Sequence, residues 1–405
     1  MVQDLSNMNL RATPPFTVPL LYCLFAFGLS FHSRLVRGSF LLLIFAISYH
    51  TVMHTTTGEP PMNYIYATSS FCLFFNALDF LAITDTYAEL RLVGQMKSPL
   101  SMPFLSRFWW SWKLISTPRG IGWTHEPTNV IPPRPRSQSR ISFIISQLPS
   151  TIILIFVADA ANLLLRSHPG FLPGGPSIAE VGPLMRYMNV LLFASSSFYA
   201  LQLQYKLFSI SVTAIGLSHP EHWPDLMGFW SDAYTIRRLW GRTWHQIMRR
   251  WVSAAGNFIA QKSLRLSPGT KLSAYTKLFV AFLISGIIHQ FGDYSLQHRN
   301  FWAGGSLAFF LSQAVVIMIE DGVIALGKRA GVRDGTFIRL FGYFWTATWF
   351  AFCLPIWIDP YFHDGMATSK LFSPIGGLWK GDWTEVKDII HFIEKATLNT
   401  RASKT

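Results

Sequence analysis

Ser273-Ala-Tyr-Thr-Lys-Leu-Phe-Val-Ala-Phe-Leu-Ile-Ser-Gly-Ile-Ile-His289 is an apolar run that ends on an ionisable side chain. A run of this kind reads as a membrane span. An ionisable group inside a span is costly to bury, so it points to function before packing. The bland alternative is a core histidine satisfied by a neighbouring carbonyl. A second cluster upstream weighs against it: Arg237-Arg-Leu-Trp-Gly-Arg-Thr-Trp-His245-Gln246 is polar and aromatic where the flanking segments are bare.

Outward from this stretch the pattern repeats. Of 405 residues, 50% are hydrophobic and only 14% are charged, against about 25% in an ordinary soluble domain. The apolar residues come in blocks near span length, roughly 20 residues. The reading is one polytopic all-α membrane domain over 1–405, with about eight spans. They are Phe16–Phe31, Val36–Met53, Met62–Thr84, Ile141–Leu165, Leu184–Ile215, Ser273–Gly292, Trp302–Leu326 and Phe337–Ile358. The first lacks a basic n-region and a small-residue cleavage site, and is expected to stay as an uncleaved anchor.

The net charge of +13 lies mostly in the connections, among them Arg119, Arg134, Arg136 and Arg140 after the third span. Basic loops on alternate sides follow the positive-inside rule. They put the N-terminus in the lumen and the long loops 85–140 and 216–272 in the cytosol, with the endoplasmic reticulum as the expected membrane. No zinc-finger spacing or basic helix accompanies these charges, so nucleic acid is not an expected partner. Cys23, Cys72 and Cys353 sit in apolar blocks and read as buried small hydrophobes. The pairs His50/His54 and His219/His222 lack a supporting ligand set, and no metal site is expected. In the second long loop Leu239, Trp240, Trp244, Ile247, Met248 and Trp251 recur at spacings of three and four. That is the pattern of an amphipathic helix at the bilayer surface.

Several chemistries lose their signatures. There is no nucleotide-binding glycine motif and no serine-hydrolase elbow. His289 and Asp293 form His-x-x-x-Asp, a spacing at which a helical carboxylate can hydrogen-bond the imidazole and set its tautomer. Glu320-Asp321 are adjacent carboxylates at depth and need a cation, water or protonation. A proton-coupled transporter would also use such residues, which leaves that class open beside an enzyme.

Together, Trp240-Gly-Arg-Thr-Trp-His245-Gln, the in-span Ser285-Gly-Ile-Ile-His289, Glu320-Asp321-Gly322 and Arg119-Gly-Ile-Gly-Trp123 resemble the membrane-bound O-acyltransferase superfamily. The likeness is to its wax-synthase-like branch, which includes fungal acetyltransferases that decorate terpenoids and meroterpenoids. The sequence departs from that branch at Thr243, where a second basic residue is common. The resemblance implies acyl-CoA as co-substrate, with no permanently bound cofactor; a cytosolic donor and a histidine deep in a span then call for an internal tunnel through the helix bundle. The resemblance also implies a hydrophobic alcohol as acceptor, acetyl as the favoured acyl group, and long-chain wax or sterol ester synthesis as the alternative. An alcohol is a poor nucleophile at neutral pH, so His289 is the expected general base. His245 is the expected second catalytic residue, orienting the thioester or donating to the oxyanion. Arg237, Arg238 and Arg242, with Trp244 and Gln246, are expected to hold the CoA moiety. Asp293, Glu320 and Asp321 are expected in supporting roles.

Overall fold

The computed structural model describes residues 10–127, 129–135, 138–298, 300–367 and 373–381; Arg136 lies outside them. In chain order the helices are α1 Thr17–Leu29, α2 Arg34–His54, α3 Pro60–Leu78, α4 Thr86–Glu89, α5 Phe104–Ile115, α6 Arg140–Ser167 and α7 Pro183–Ala214. They continue as α8 Ile236–Arg238, α9 Arg249–Asn257, α10 Lys271–Gln297, α11 Ser306–Arg329, α12 Thr336–Cys353, α13 Pro355–His363 and α14 Pro374–Lys380. Among the described residues the sheet content is one pair of two-residue parallel strands, Arg11–Ala12 beside Thr55–Thr56.

All eight expected apolar segments are helical, and the all-α membrane architecture is as the sequence implies. Among the described residues five helices are long and apolar enough to cross a bilayer, and α12 with α13, bent by 41°, makes a sixth if the pair is taken as one span. The other two expected spans do not meet that standard. At 13 residues α1 reaches only about 20 Å at 1.5 Å per residue, short of a hydrocarbon core near 30 Å. Helix α7 has 32 residues but carries Arg186, Asn189, Ser195–Ser197, Gln202, Gln204 and Lys206 along its length.

Local signals explain where the spans begin. Ser33, Ser139 and Thr270 cap α2, α6 and α10, each side-chain oxygen accepting a backbone N–H of the first turn. Helix α10 is the axis of the site, lying against α3, α9 and α11. With lipid as solvent, helices associate by close packing at small residues. Gly286 does this between α10 and α11: a Cβ there would stand 3.0 Å from a Leu307 methyl and 3.2 Å from its Cα.

Carboxylates inside the bundle all have partners. Asp79, fully buried, meets the Arg250 guanidinium at 3.1 Å and accepts the Thr84 hydroxyl at 2.5 Å. Asp159 accepts the Ser373 hydroxyl and the Ile375 N–H at the start of α14. The cysteines differ from expectation: Cys353 is buried and Cys72 half-buried, but Cys23 is exposed, because its face of α1 points out of the bundle.

The second long loop also differs. Residues 239–251 are not one amphipathic helix. A π-helical turn, Leu239–Thr243, follows α8, and the chain then extends at Trp244 (φ −70°, ψ 154°) before α9 starts at Arg249. Trp240 packs into the core around Phe309 and Phe310, and Trp251 into another around Phe71 and Ile284. Wide-turn helix of this type is rare and gathers at functional sites.

Candidate functional site

His289 stands in the third quarter of α10, half-buried, with its ring among aromatics. Phe310 of α11 stacks on it at 4.8 Å between centroids with planes 10° apart, and Trp357 of α13 meets it edge-on at 5.2 Å. Its Nδ1 lies 2.6 Å from the Tyr64 hydroxyl of α3, a hydrogen bond whose proton position depends on the tautomer. Asp293, one turn on, does not take the imidazole. Its carboxylate accepts the Ser306 N–H at 3.0 Å and the Trp357 indole N–H at 3.2 Å. Asp293 therefore holds the indole that walls the histidine, and the phenol of Tyr64 occupies the position expected of the carboxylate.

His245 lies where the chain leaves the π-helical turn. The turn closes through Trp244 N–H to Leu239 O at 2.7 Å. Gln246 clamps the same bend: its amide donates to the carbonyls of Trp240 (3.1 Å) and Trp244 (2.5 Å), and its oxygen accepts from Arg249 at 2.8 Å. The Nδ1 of His245 is buried with no partner among the described residues. Burial, reinforced by the Arg119 charge, pushes this imidazole down to about 4, so it is neutral at physiological pH. Ring contacts run from one histidine to the other: His245 to Trp244 (5.6 Å), Trp244 to Trp240 (6.2 Å), Trp240 to Phe310 (6.0 Å), and Phe310 to His289.

Glu320 and Asp321 fix the start of this segment. Glu320, buried in α11, accepts the backbone N–H groups of Ile236 (2.9 Å) and Arg237 (3.1 Å) and the Trp345 indole N–H (3.1 Å). Two orphan donors of α8 are thereby satisfied. Asp321 takes the Arg237 guanidinium through both oxygens and accepts the Tyr275 hydroxyl at 3.2 Å. Of the two adjacent carboxylates, Asp321 takes its cation from Arg237 and Glu320 is satisfied by N–H donors alone.

A cavity of about 320 Å³ opens beside Gln246, lined among others by Arg119, His125, Arg249, Arg250 and Lys262. Arg237, Arg238 and Arg242 are not among its lining residues; the first pairs with Asp321, and Arg238 and Arg242 share Asp232. The structure thus separates these three from the cavity and brings four other cations to it. Arg250 is neutralised by Asp79. Arg119 and Arg249 have no carboxylate within salt-bridge distance among the described residues. Arg119, only 5% exposed, donates to the carbonyls of Asp225 (2.8 Å) and Pro224 (2.9 Å) and to the Tyr205 hydroxyl. Arg249 donates to Gly241 O at 3.0 Å and to Gln246. Burial lowers both guanidinium groups somewhat, which marks charges with little water around them.

Gly120, with φ +67°, lets the loop pass under His125, whose Nε2 would lie 2.7 Å from a Cβ at that position. Burial and Arg250 push His125 down to about 4. Two further π-helical segments, Asp79–Ile83 and Phe258–Ser263, supply lining residues as well. Arg119 was visible in the sequence as part of Arg119-Gly-Ile-Gly-Trp123, but no spacing ties it to position 246. Tyr64 carried no signal that sets it apart, since the same segment also holds Asn63, Tyr66 and Thr68.

Residues 223–312, which hold both histidines, match the family described as membrane bound O-acyl transferase. The chain is 36% identical over 366 residues to acetyltransferase eriL of Hericium erinaceus, covering 89% of this chain and 94% of that one. The chain belongs to the membrane bound O-acyl transferase family. It is also 32% identical over 378 residues to acetyltransferase ple2 of Rhodocybe pseudopiperita, covering 91% and 98%. With acetyltransferase sirH of Emericella nidulans it shares 30% identity over 291 residues, covering 69% and 66%.

For a membrane-bound acyltransferase the arrangement has two parts. Cations line a cavity beside α9, Arg119 and Arg249 among them with no carboxylate within salt-bridge distance among the described residues, and the His289 imidazole stands inside the helices. Trp240 to Gln246 connects them. Acyl transfer to a hydroxyl needs a base for the incoming proton and a donor for the developing oxyanion, and both histidines are placed along this connection. Among the described residues no cluster of three or more histidine, cysteine or carboxylate side chains is suited to hold a metal.

Proposed function

We propose that this acyltransferase uses acyl-CoA and moves acetyl from acetyl-CoA to a hydroxyl of a terpenoid or meroterpenoid intermediate of secondary metabolism, in the endoplasmic reticulum membrane. The observation that carries the proposal is the half-buried His289 imidazole, hydrogen-bonded at Nδ1 and linked by aromatic rings to His245 beside a cationic cavity. The names of the relatives support acetyl as the acyl group. The aromatic surroundings of His289, with Phe310 and Trp357 in contact and Phe309 and Tyr361 packed behind them, suit an apolar acceptor.

In this reading the CoA phosphates sit against Arg119 and Arg249, and Arg237, Arg238 and Arg242 hold the loop. Charged donors bind at the cytosolic face, since phosphates do not cross the bilayer, and the pantetheine arm follows the Trp240–Gln246 segment inward along a tunnel. His289 is 18 positions past the first residue of α10, about 27 Å along the helix at 1.5 Å per residue, so the thioester end must reach well inside the bundle. The acceptor enters from the bilayer. Its oxygen attacks the thioester carbonyl while its proton passes to Nε2 of His289. A neutral His245 donates an N–H to the oxyanion. Collapse breaks the carbon–sulfur bond, and the imidazolium returns its proton to the departing thiolate. Ester and free CoA result, with no acyl-enzyme.

Purified protein in nanodiscs, given labelled acetyl-CoA or palmitoyl-CoA and a panel of cyclic terpenoid alcohols, tests this. Acetyl esters of one or more alcohols are expected. A strong preference for palmitoyl transfer would make the protein a long-chain ester synthase. Alcohol flux across vesicles without ester formation would remove the enzyme reading.

A further inference from the structure

A histidine acts as a base only through a nitrogen that carries no proton, so something must hold the proton on the other nitrogen. Asp293 has the sequence spacing for this but is committed to Ser306 and Trp357. Tyr64, 225 positions away in the chain, supplies the contact to Nδ1 at 2.6 Å. We propose that Tyr64 is the positioning residue of the acyl transfer: its phenol oxygen accepts a hydrogen bond from Nδ1–H, which keeps that proton on nitrogen and leaves the Nε2 lone pair for the acceptor hydroxyl. This rests on His289 being the base.

Three features fix the phenol. Its ring is 8% exposed and meets Tyr361 edge-on at 5.0 Å. It also lies flat against the bare backbone of Gly292, where a Cβ would stand 2.6 Å from a Tyr64 ring carbon and 2.8 Å from the Thr68 methyl. Gly292 is three residues past His289 on the same helix, so the histidine and the gap that seats its partner are built into one turn. Helix α3 is brought close by that gap. When the acceptor proton reaches Nε2 the ring becomes a cation. The Nδ1–H to phenol contact is then charge-assisted, stronger than in the resting state. The gain falls in the transition state, which is where it accelerates reaction.

Tyr64→Phe keeps the ring and removes the acceptor. With acetyl-CoA and an alcohol turned over by the wild type, kcat is expected to fall about ten- to a hundred-fold, the worth of one hydrogen bond to a charged group. KM for acetyl-CoA should stay within about two-fold, because only a transition-state contact is lost. The acid limb of kcat should move to lower pH, since the imidazolium loses a stabilising partner and the neutral base persists further down. A purely structural role would not move that limb. In a His289→Ala background Tyr64→Phe should add no loss. Gly292→Ala crowds the ring with the hydroxyl intact; it should lower kcat in the wild type and add little in Tyr64→Phe.

Unchanged kcat and pH profile in Tyr64→Phe would overturn the assignment, as would additive losses from Gly292→Ala and Tyr64→Phe. Full activity in His289→Ala would instead remove the base itself, a separate result that fells the mechanism under Proposed function.

Discussion

The surroundings of His289 and the cavity beside Gln246 treat charge in opposite ways. Around His289 the polar side chains pair with one another and with nearby backbone: Tyr64 with the imidazole, Asp293 with Ser306 N–H and Trp357, Gln290 with Phe301 O and Leu307 N–H. Around the cavity Arg119 and Arg249 are held by carbonyls, a phenol and an amide, with no carboxylate within salt-bridge distance among the described residues. The first arrangement fixes the orientation of the imidazole. The second leaves positive charge free for an anion. On the proposed function, chemistry belongs to α10 and donor binding to the cavity beside α9, so substitutions in the two regions should separate into effects on kcat and effects on KM.

The largest effect is expected at His289. His289→Ala should lower kcat about 10²–10⁴-fold, the usual worth of general-base catalysis, while leaving CoA affinity and the expressed amount near wild type. Turnover above a tenth of wild type would break the division between the regions. His245→Ala comes next, with a loss in kcat of about 10²–10³-fold if its N–H serves the oxyanion. A large rise in KM with unchanged kcat would instead move His245 into the donor site.

Much of this was legible in the sequence. Apolar block length marked all eight helical segments, and an ionisable residue inside a block marked His289, because bilayer burial makes such residues rare. Composition also explains why two blocks fell short as spans: the polar residues of α7 and the brevity of α1 are visible in the letters. What stayed hidden depends on pairing between distant elements. Nothing at 289 names position 64, and Arg119 reads as one more loop charge until the fold brings it beside His245. The expected amphipathic helix over 239–251 failed for a local reason. Its spacing suited a regular helix, but the π-helical turn and the Gln246 clamp divert the chain at Trp244.

The pH dependence sharpens the comparison from the loop side. His245 and His125 are both held at about 4 in the fold, chiefly by burial, against about 6.5 when unfolded. The unfolded chain therefore binds more protons between these values. Stability contributed by these groups is complete above about pH 6.5 and is lost as pH falls toward 4. Thermal unfolding from pH 7.5 to 4.5 should show this loss, and His125→Phe should flatten part of it. An unchanged slope would mean that water reaches His125.

The smallest effects should come from the arginines that the sequence alone would choose. Arg119→Ala removes an uncompensated charge from the cavity wall and should raise KM for acetyl-CoA about ten-fold or more, the scale of one charge-assisted contact. Arg119→Lys should restore little, because an ammonium cannot span two carbonyls and a phenol as the planar fork does. Arg238 and Arg242 share Asp232, and both are more than a quarter exposed. Exposed pairs of that kind are worth about 0–1 kcal/mol. Arg238→Ala should therefore leave KM within about two-fold and stability nearly unchanged, and Arg242 should then keep Asp232 paired. The two substitutions remove the same charge from neighbouring loops, so total electrostatics cannot explain a difference between them. A KM raised more by Arg238→Ala than by Arg119→Ala would place the CoA phosphates at the 237–242 turn and leave the cavity without its ligand.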